Sequence, residues 1–160
     1  MNRAVFFSGP GTAYAYTVKE GSEQALEVYP ETLPALRFLR RRGFCLVLIT
    51  SDRQEFKNFL TCFKDKTIEL SHWNGEMEEL NRLLSEKDIE LKESCLITDG
   101  PYLKLLESMG CRILLVLTGK GVCTLNSLDL SEGPGVTDIC KNIYSAAFSV
   151  ALNRKALTEV

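Results

Sequence analysis

Four short, almost unbroken apolar runs constrain this chain most: Ala4 to Phe7, Phe44 to Thr50, Ser94 to Thr98 and Arg112 to Leu117. A strand with one face in water alternates apolar and polar residues, whereas a strand covered on both faces reads as a continuous apolar stretch. That second pattern belongs to parallel sheets sandwiched between helices. The intervening stretches have helical spacing. Pro30 to Arg42 carries Leu33, Leu36, Phe38 and Leu39 before Gly43 as a stop, and Arg53 to Lys64 carries Phe56, Phe59, Leu60 and Phe63. Glu76 to Lys87 carries Met77, Leu80, Leu83 and Leu84, and Pro101 to Met109 carries Leu105 and Leu106 before Gly110. A last helix is predicted from Thr137, as its N-cap, to Asn153. Thr67 to Leu70 is a candidate further strand, residues 13–29 and 118–136 carry no assigned element, and Ser131 to Gly135 reads as a loop. Alternating β and α units with right-handed crossovers give a three-layer α/β/α, Rossmann-like parallel sheet, with residues 1–160 as one domain.

Charge and cysteine usage narrow the functional classes. A formal net charge of -2 disfavours a nucleic-acid binder, which normally shows a strongly basic face. The one dense basic cluster, Arg37 with Arg40, Arg41 and Arg42, lies in a helical pattern and reads as a solvated helix face. Six cysteines, Cys45, Cys62, Cys95, Cys111, Cys123 and Cys140, include no CxxC pair; three of them sit in or at the start of apolar runs, as small buried hydrophobes of a reducing compartment do. With a single histidine, His72, read here as a loop residue, no zinc site is expected. No secretory leader and no membrane-crossing run is evident, so the expected location is cytoplasmic.

In a parallel α/β sheet, ligands bind beyond the carboxyl ends of the strands. The corners there are Ser8 to Thr12, Thr50 and Ser51, Thr98 to Pro101, and Thr118 to Gly121, and Asp99 is the one carboxylate that can be central. Neither nucleotide signature fits. Gly9 and Gly11 are followed by Tyr14 where a dinucleotide fingerprint needs a third glycine, and Gly119, Lys120 and Gly121 are followed by Val122 where a phosphate loop needs lysine then serine or threonine.

The order of motifs resembles the haloacid dehalogenase superfamily of phosphohydrolases, and within it the histidinol phosphatase and heptose bisphosphate phosphatase branch. AVFFSGPGT aligns with that branch's AVFLDRDGT-like first motif, YPETLPALRFLRRRGFCLVLITS with its second landmark, and CLITDGPYLKLLESMGCRILLVLTGKG with its last. The resemblance implies a HAD-like sheet without a large cap domain. It also implies what the chemistry requires: an aspartate nucleophile, a second aspartate two residues on as acid and base, magnesium held by the first aspartate and by one after a later strand, and a hydroxyl and a lysine on the phosphoryl oxygens.

Against those requirements the chain has Ser8 at the nucleophile position and Pro10 at the acid/base position. Serine brings no charge for magnesium, and proline transfers no proton. Asp99 matches the later metal aspartate, but the zinc loop and the lysine-bearing stretch of the branch are replaced by CFKDKTIELSHWNGEM, residues 62 to 77. Lys66 and Lys120 read as exposed side chains. Gly11, Thr12, Thr50 and Ser51 remain as candidate phosphate-binding groups, offering backbone N–H groups and hydroxyls to an anion; the same residues also serve as turn and cap chemistry. The expectation is a catalytically degenerate relative that binds phosphate, a small phosphorylated metabolite or a protein partner. The alternative is a metal-dependent phosphatase of rearranged chemistry using Asp99, with Asp52 as a second candidate; magnesium is expected only in that case.

Overall fold

A computed structural model describes residues 1–18, 21, 24–63, 66–128 and 135–158, with side chains to residue 152. The four apolar runs are strands β1 (Ala4–Ser8), β4 (Cys45–Ile49), β6 (Cys95–Thr98) and β7 (Arg112–Val116). Two more strands, β5 (Leu70–Trp73) and β8 (Asp138–Cys140), join them in a six-stranded sheet of order β5-β4-β1-β6-β7-β8, every neighbouring pair parallel. The helices are α1 (Thr32–Arg41), α2 (Arg53–Thr61), α3 (Met77–Glu86), α4 (Leu103–Ser108), α5 (Gly121–Ser127) and α6 (Ile143–Thr158).

Side-chain alternation along the strands explains why the runs are apolar throughout. Val5 and Phe7 of β1 enter one core with Leu36 and Leu39 of α1, Phe59 of α2 and Val150 of α6. Ala4 and Phe6, on the opposite face, enter a second core with Trp73, Leu80 of α3 and Leu106 of α4. The strands β1, β4, β6 and β7 thus have two buried faces and little room for a polar residue except at their ends, where Ser8, Thr50 and Thr98 stand. The rings of Phe6 and Trp73 meet edge to face at 6.1 Å, and those of Phe7 and Phe59 at 6.4 Å.

Four sequence expectations need correction. The short strand lies at Leu70–Trp73, not Thr67 to Leu70, because it pairs with β4 from Leu46↔Leu70 to Ile49↔Trp73 and so buries Trp73. His72 therefore belongs to a strand, not a loop. The final helix begins at Ile143, with Asn142 Oδ1 accepting the N–H of Ser145 as its N-cap. Thr137 is claimed by the sheet edge instead: its N–H donates to the carbonyl of Ile113 at 2.8 Å, leading into β8. The unassigned stretch after Ala13 is an antiparallel hairpin, β2 (Tyr14–Val18) with β3 (Gln24–Val28), whose Tyr14, Leu26 and Val28 pack on the first core. In the other unassigned stretch Gly121–Ser127 is helical, while most of the Ser131 to Gly135 loop lies outside the described residues. No helix among the described residues is long and apolar enough to cross a membrane.

The thiols divide by environment. Burial pushes Cys95 and Cys140 up to about 11, and raises Cys111 further still, whereas Cys62 and Cys123 are exposed. At pH 8 a thiol-disulfide reagent is expected to label Cys62 and Cys123 first. Cys95, Cys111 and Cys140 should follow roughly a hundredfold more slowly, at the rate of opening. Equal labelling of all five would contradict the packing.

Candidate functional site

The strand order reverses direction around β1, with β4 on one side and β6 on the other, so the carboxyl ends of these three strands meet at the crevice where such sheets bind ligands. The sequence corners come together there. Ser8, at the end of β1, is 2% exposed, and its Oγ lies 2.7 Å from Thr12 Oγ1 and 3.0 Å from Thr98 Oγ1. Asp99 is 3% exposed; its Oδ1 accepts from Thr12 Oγ1 at 3.3 Å and its Oδ2 from the backbone N–H of Lys120 at 3.0 Å. The N–H of Asp99 returns a hydrogen bond to Thr12 Oγ1 at 3.0 Å. Thr124 of α5 closes the corner by donating to the carbonyl of Asp99 at 2.7 Å.

Proton counting shows that every hydroxyl proton in this cluster is committed. Thr98 Oγ1 donates to the Pro101 carbonyl at 2.9 Å and accepts from the N–H of Gly100 at 3.0 Å. Thr12 gives its one hydroxyl proton to Asp99 when Ser8 donates to either threonine. Ser8 then has one proton for two threonine oxygens, so three hydroxyl protons are shared among four contacts and no donor is left over.

The backbone is equally committed. The carbonyl of Gly9 accepts from the N–H groups of Thr12, Ala13 and Tyr14 at 3.1, 2.9 and 3.4 Å, and the N–H of Gly11 donates to Tyr14 at 2.7 Å. The amides from Gly11 to Tyr14 point back into their own turn, whereas an anion cradle turns its amides outward. The β7–α5 loop presses on this turn: Thr118 Oγ1 donates to the Gly11 carbonyl at 2.6 Å, and a Cβ on Gly119 would lie 2.4 Å from Gly11 Cα. Gly11 has φ of +87° and Gly119 of +55°, backbone that glycine adopts without penalty.

The remaining candidates separate. Thr50, 3% exposed, donates its hydroxyl to the carbonyl of Asp52 at 2.9 Å. His72 Nε2 lies 2.8 Å from Thr50 Oγ1 and 2.9 Å from the Thr50 carbonyl. A carbonyl only accepts, so Nε2 carries the hydrogen, and the ring stacks on Phe56 at 4.8 Å. The one histidine is thus tied to the β4 corner and has no bond to Ser8. Ser51 is exposed, and Asp52 is the N-cap of α2, accepting from the N–H of Gln54 at 2.8 Å. Lys66 and Lys120 are exposed, Lys120 reaching Asp99 through its backbone. Pro10 is exposed at the tip of the first turn.

Sequence reasoning missed Thr124 and the Tyr14 support. Tyr14 is fully buried over Gly9 and donates its hydroxyl to Glu55 Oε2 at 2.7 Å; burial, then Glu55, raises its phenol well above the usual range. At the mouth, burial and then the charge of Asp99 also raise Tyr29. The aromatic-rich YAYTV, alternating after a glycine turn, was the available signal for the hairpin.

Magnesium requires several oxygen ligands in near-octahedral array. Here Asp99 is the one carboxylate at the corner, and both its oxygens have protein donors; no group of three or more His, Cys, Asp or Glu residues able to hold a metal exists among the described residues. The residues present do not fit the ion.

The parallel sheet, its helices on both faces, and a corner built from the ends of β1, β4 and β6 define the haloacid dehalogenase-like fold. Solved structures agree. The chain is similar to a D,D-heptose 1,7-bisphosphate phosphatase from Burkholderia thailandensis, with a TM-score of 0.71 at 18% identity over 92% of this chain and 97% of that one. It is likewise similar to the B. bronchiseptica D,D-heptose 1,7-bisphosphate phosphatase complexed with magnesium and phosphate, with a TM-score of 0.68 at 17% identity over 94% and 99%. A 3-deoxy-D-manno-octulosonate 8-phosphate phosphatase from Moraxella catarrhalis has a TM-score of 0.64 at 16% identity over 97% and 87%. No protein-family model matches the sequence, and no curated protein matches it significantly.

Proposed function

We propose that this protein is a non-hydrolytic relative of the HAD-like phosphatases and works by binding a partner rather than by transferring phosphate. The observation that carries the reading is the buried hydroxyl cluster Thr12, Ser8 and Thr98 beside Asp99: the first strand ends in a buried neutral hydroxyl in contact with its neighbours, where phosphoryl transfer needs a free carboxylate. Ser8 also lacks a base to take its proton, since His72 is engaged with Thr50. Asp52 serves as a helix cap, so it gives no support to a water-activating role. The inward-turned amides at Gly11 and Thr12 and the committed hydroxyl of Thr50 favour a protein partner over a phosphorylated metabolite at this corner. Six unpaired thiols fit a cytoplasmic, reducing setting.

The test is phosphate release from D,D-heptose 1,7-bisphosphate, 3-deoxy-D-manno-octulosonate 8-phosphate and p-nitrophenyl phosphate, with and without magnesium. Wild-type protein and Asp99→Asn are expected to be indistinguishable from the buffer blank. Magnesium-dependent turnover that vanishes in Asp99→Asn would overturn the proposal.

A further inference from the structure

The β6–α4 turn, α4, α5 and Gly135 border a cavity of about 790 Å³, within the range of roughly 300–1,000 Å³ common to small-molecule sites. Among the described residues its lining includes none from the first turn or the β4 corner, so it is a different space from the closed crevice. Asp99 stands between the two. Thr124, which lines the cavity, donates to its carbonyl, while Thr12 and the N–H of Lys120 take its carboxylate.

The lining combines two kinds of surface. Leu103 and Leu105 of α4, Leu128 after α5 and the ring of Tyr102 supply apolar area. Tyr102 has φ of +65°, a left-handed conformation that a tyrosine keeps only where its surroundings over-determine it; its ring rests on Trp73 with centroids 5.4 Å apart. Asp99, Lys104, Glu107 and Lys120 supply charge. Asp99 is already occupied by donors of the chain, and the hydroxyls of Thr124 and Ser127 give their protons to the carbonyls of Asp99 and Thr124. Lys104, Lys120 and Glu107 form no ion pair among the described residues. The free charge of the lining is therefore two cations against one anion, in a chain whose net charge is -2.

We propose that this cavity binds a small organic anion with an aromatic body, its anionic group facing the ammonium groups of Lys104 and Lys120 and its ring against Tyr102, Leu103 and Leu128. The inference goes beyond the partner-binding reading and does not need it, because it concerns a second site built from α4 and α5. Charge selects the ligand class: a cationic body of the same size would meet two ammonium groups, and a neutral one would leave both unanswered.

The chain's single tryptophan supplies the readout. Tyr102 touches Trp73 and lines the cavity, which places a bound fluorophore within energy-transfer distance of the indole. The full-length protein is titrated with anilinonaphthalene sulfonate, an aromatic anion, and saturable energy transfer from Trp73 is expected. Benzoate and phenylphosphonate should displace this probe at concentrations at least about tenfold lower than benzylamine or benzyl alcohol. Whichever of the two anions acts at the lower concentration distinguishes a carboxylate ligand from a phosphate-like one, and the carbon–phosphorus bond keeps the measurement independent of any turnover. Lys104, Lys120 and Ser127 are exposed, so their variants read the site without disturbing the core. Lys104→Glu and Lys120→Glu should each weaken probe binding about tenfold, and Ser127→Phe should abolish it by filling the cavity. Absence of saturable transfer, displacement by benzylamine as effective as by benzoate, or transfer that all three variants leave unchanged would each overturn the proposal.

Discussion

Alanine at position 11 is expected to destabilise the protein by about 3 kcal/mol or more, measured as the change in unfolding free energy in urea. Two independent costs add. The backbone there has φ of +87°, which an L side chain adopts only with strain. A Cβ would also lie 2.1 Å from Asp99 Oδ2, and that carboxylate has little freedom to retreat because Thr12 and Lys120 hold its two oxygens. The same substitution on a loop standing clear of Asp99 would cost only the backbone strain, about 1 kcal/mol. A loss of that smaller size would mean that the first turn and the carboxylate are not in contact and that the corner is open. The prediction therefore measures how firmly the strand-end crevice is closed by the chain itself.

That closure was only half legible in the sequence. The absence of carboxylates at positions 8 and 10 could be read from residue types alone, and so could the sheet, because β1, β4, β6 and β7 are apolar on both faces and leave no competing assignment. Which partners these corner residues bond to was not legible. Thr12 meets Asp99 across 87 positions and Thr118 meets Gly11 across 107, and no local pattern encodes such a pairing. The hairpin escaped because YAYTV alternates instead of forming a continuous apolar run, and Tyr16 and Val18 are exposed where the runs of the main sheet are buried. The displaced start of α6 has a different cause. Ile139 and Ile143 stand at helical spacing, but the sheet edge offers the backbone at Thr137 and β8 a ladder with β7, and that tertiary bonding outweighs local periodicity.

Placing aspartates at positions 8 and 10 is expected to weaken the protein without giving it magnesium-dependent phosphatase turnover. In Ser8→Asp, Pro10→Asp a carboxylate replaces a hydroxyl that is 2% exposed and separated from Asp99 by Thr12 alone. Thr12 has one proton and cannot serve two acceptors, and the proton of Thr98 already goes to Pro101. An ionised side chain there is left facing Asp99 with no donor, at a cost of about 2–4 kcal/mol at pH 7. The sign of the pH dependence follows. Burial and Asp99 hold the new carboxyl's folded-state pKa above its unfolded value, so the penalty is present above the unfolded pKa and fades as the pH falls toward about 4. Thermal unfolding of the double variant should therefore approach that of the wild type in acid and diverge from it at neutral pH. Magnesium is expected to bring neither stability nor turnover, because the position-10 acid stands exposed at the tip and the Gly11–Gly119 contact fills the approach to Asp99. Recovery of stability with magnesium, accompanied by multiple turnovers of a sugar phosphate, would show instead that the crevice opens readily and that two side chains alone separate this chain from catalysis.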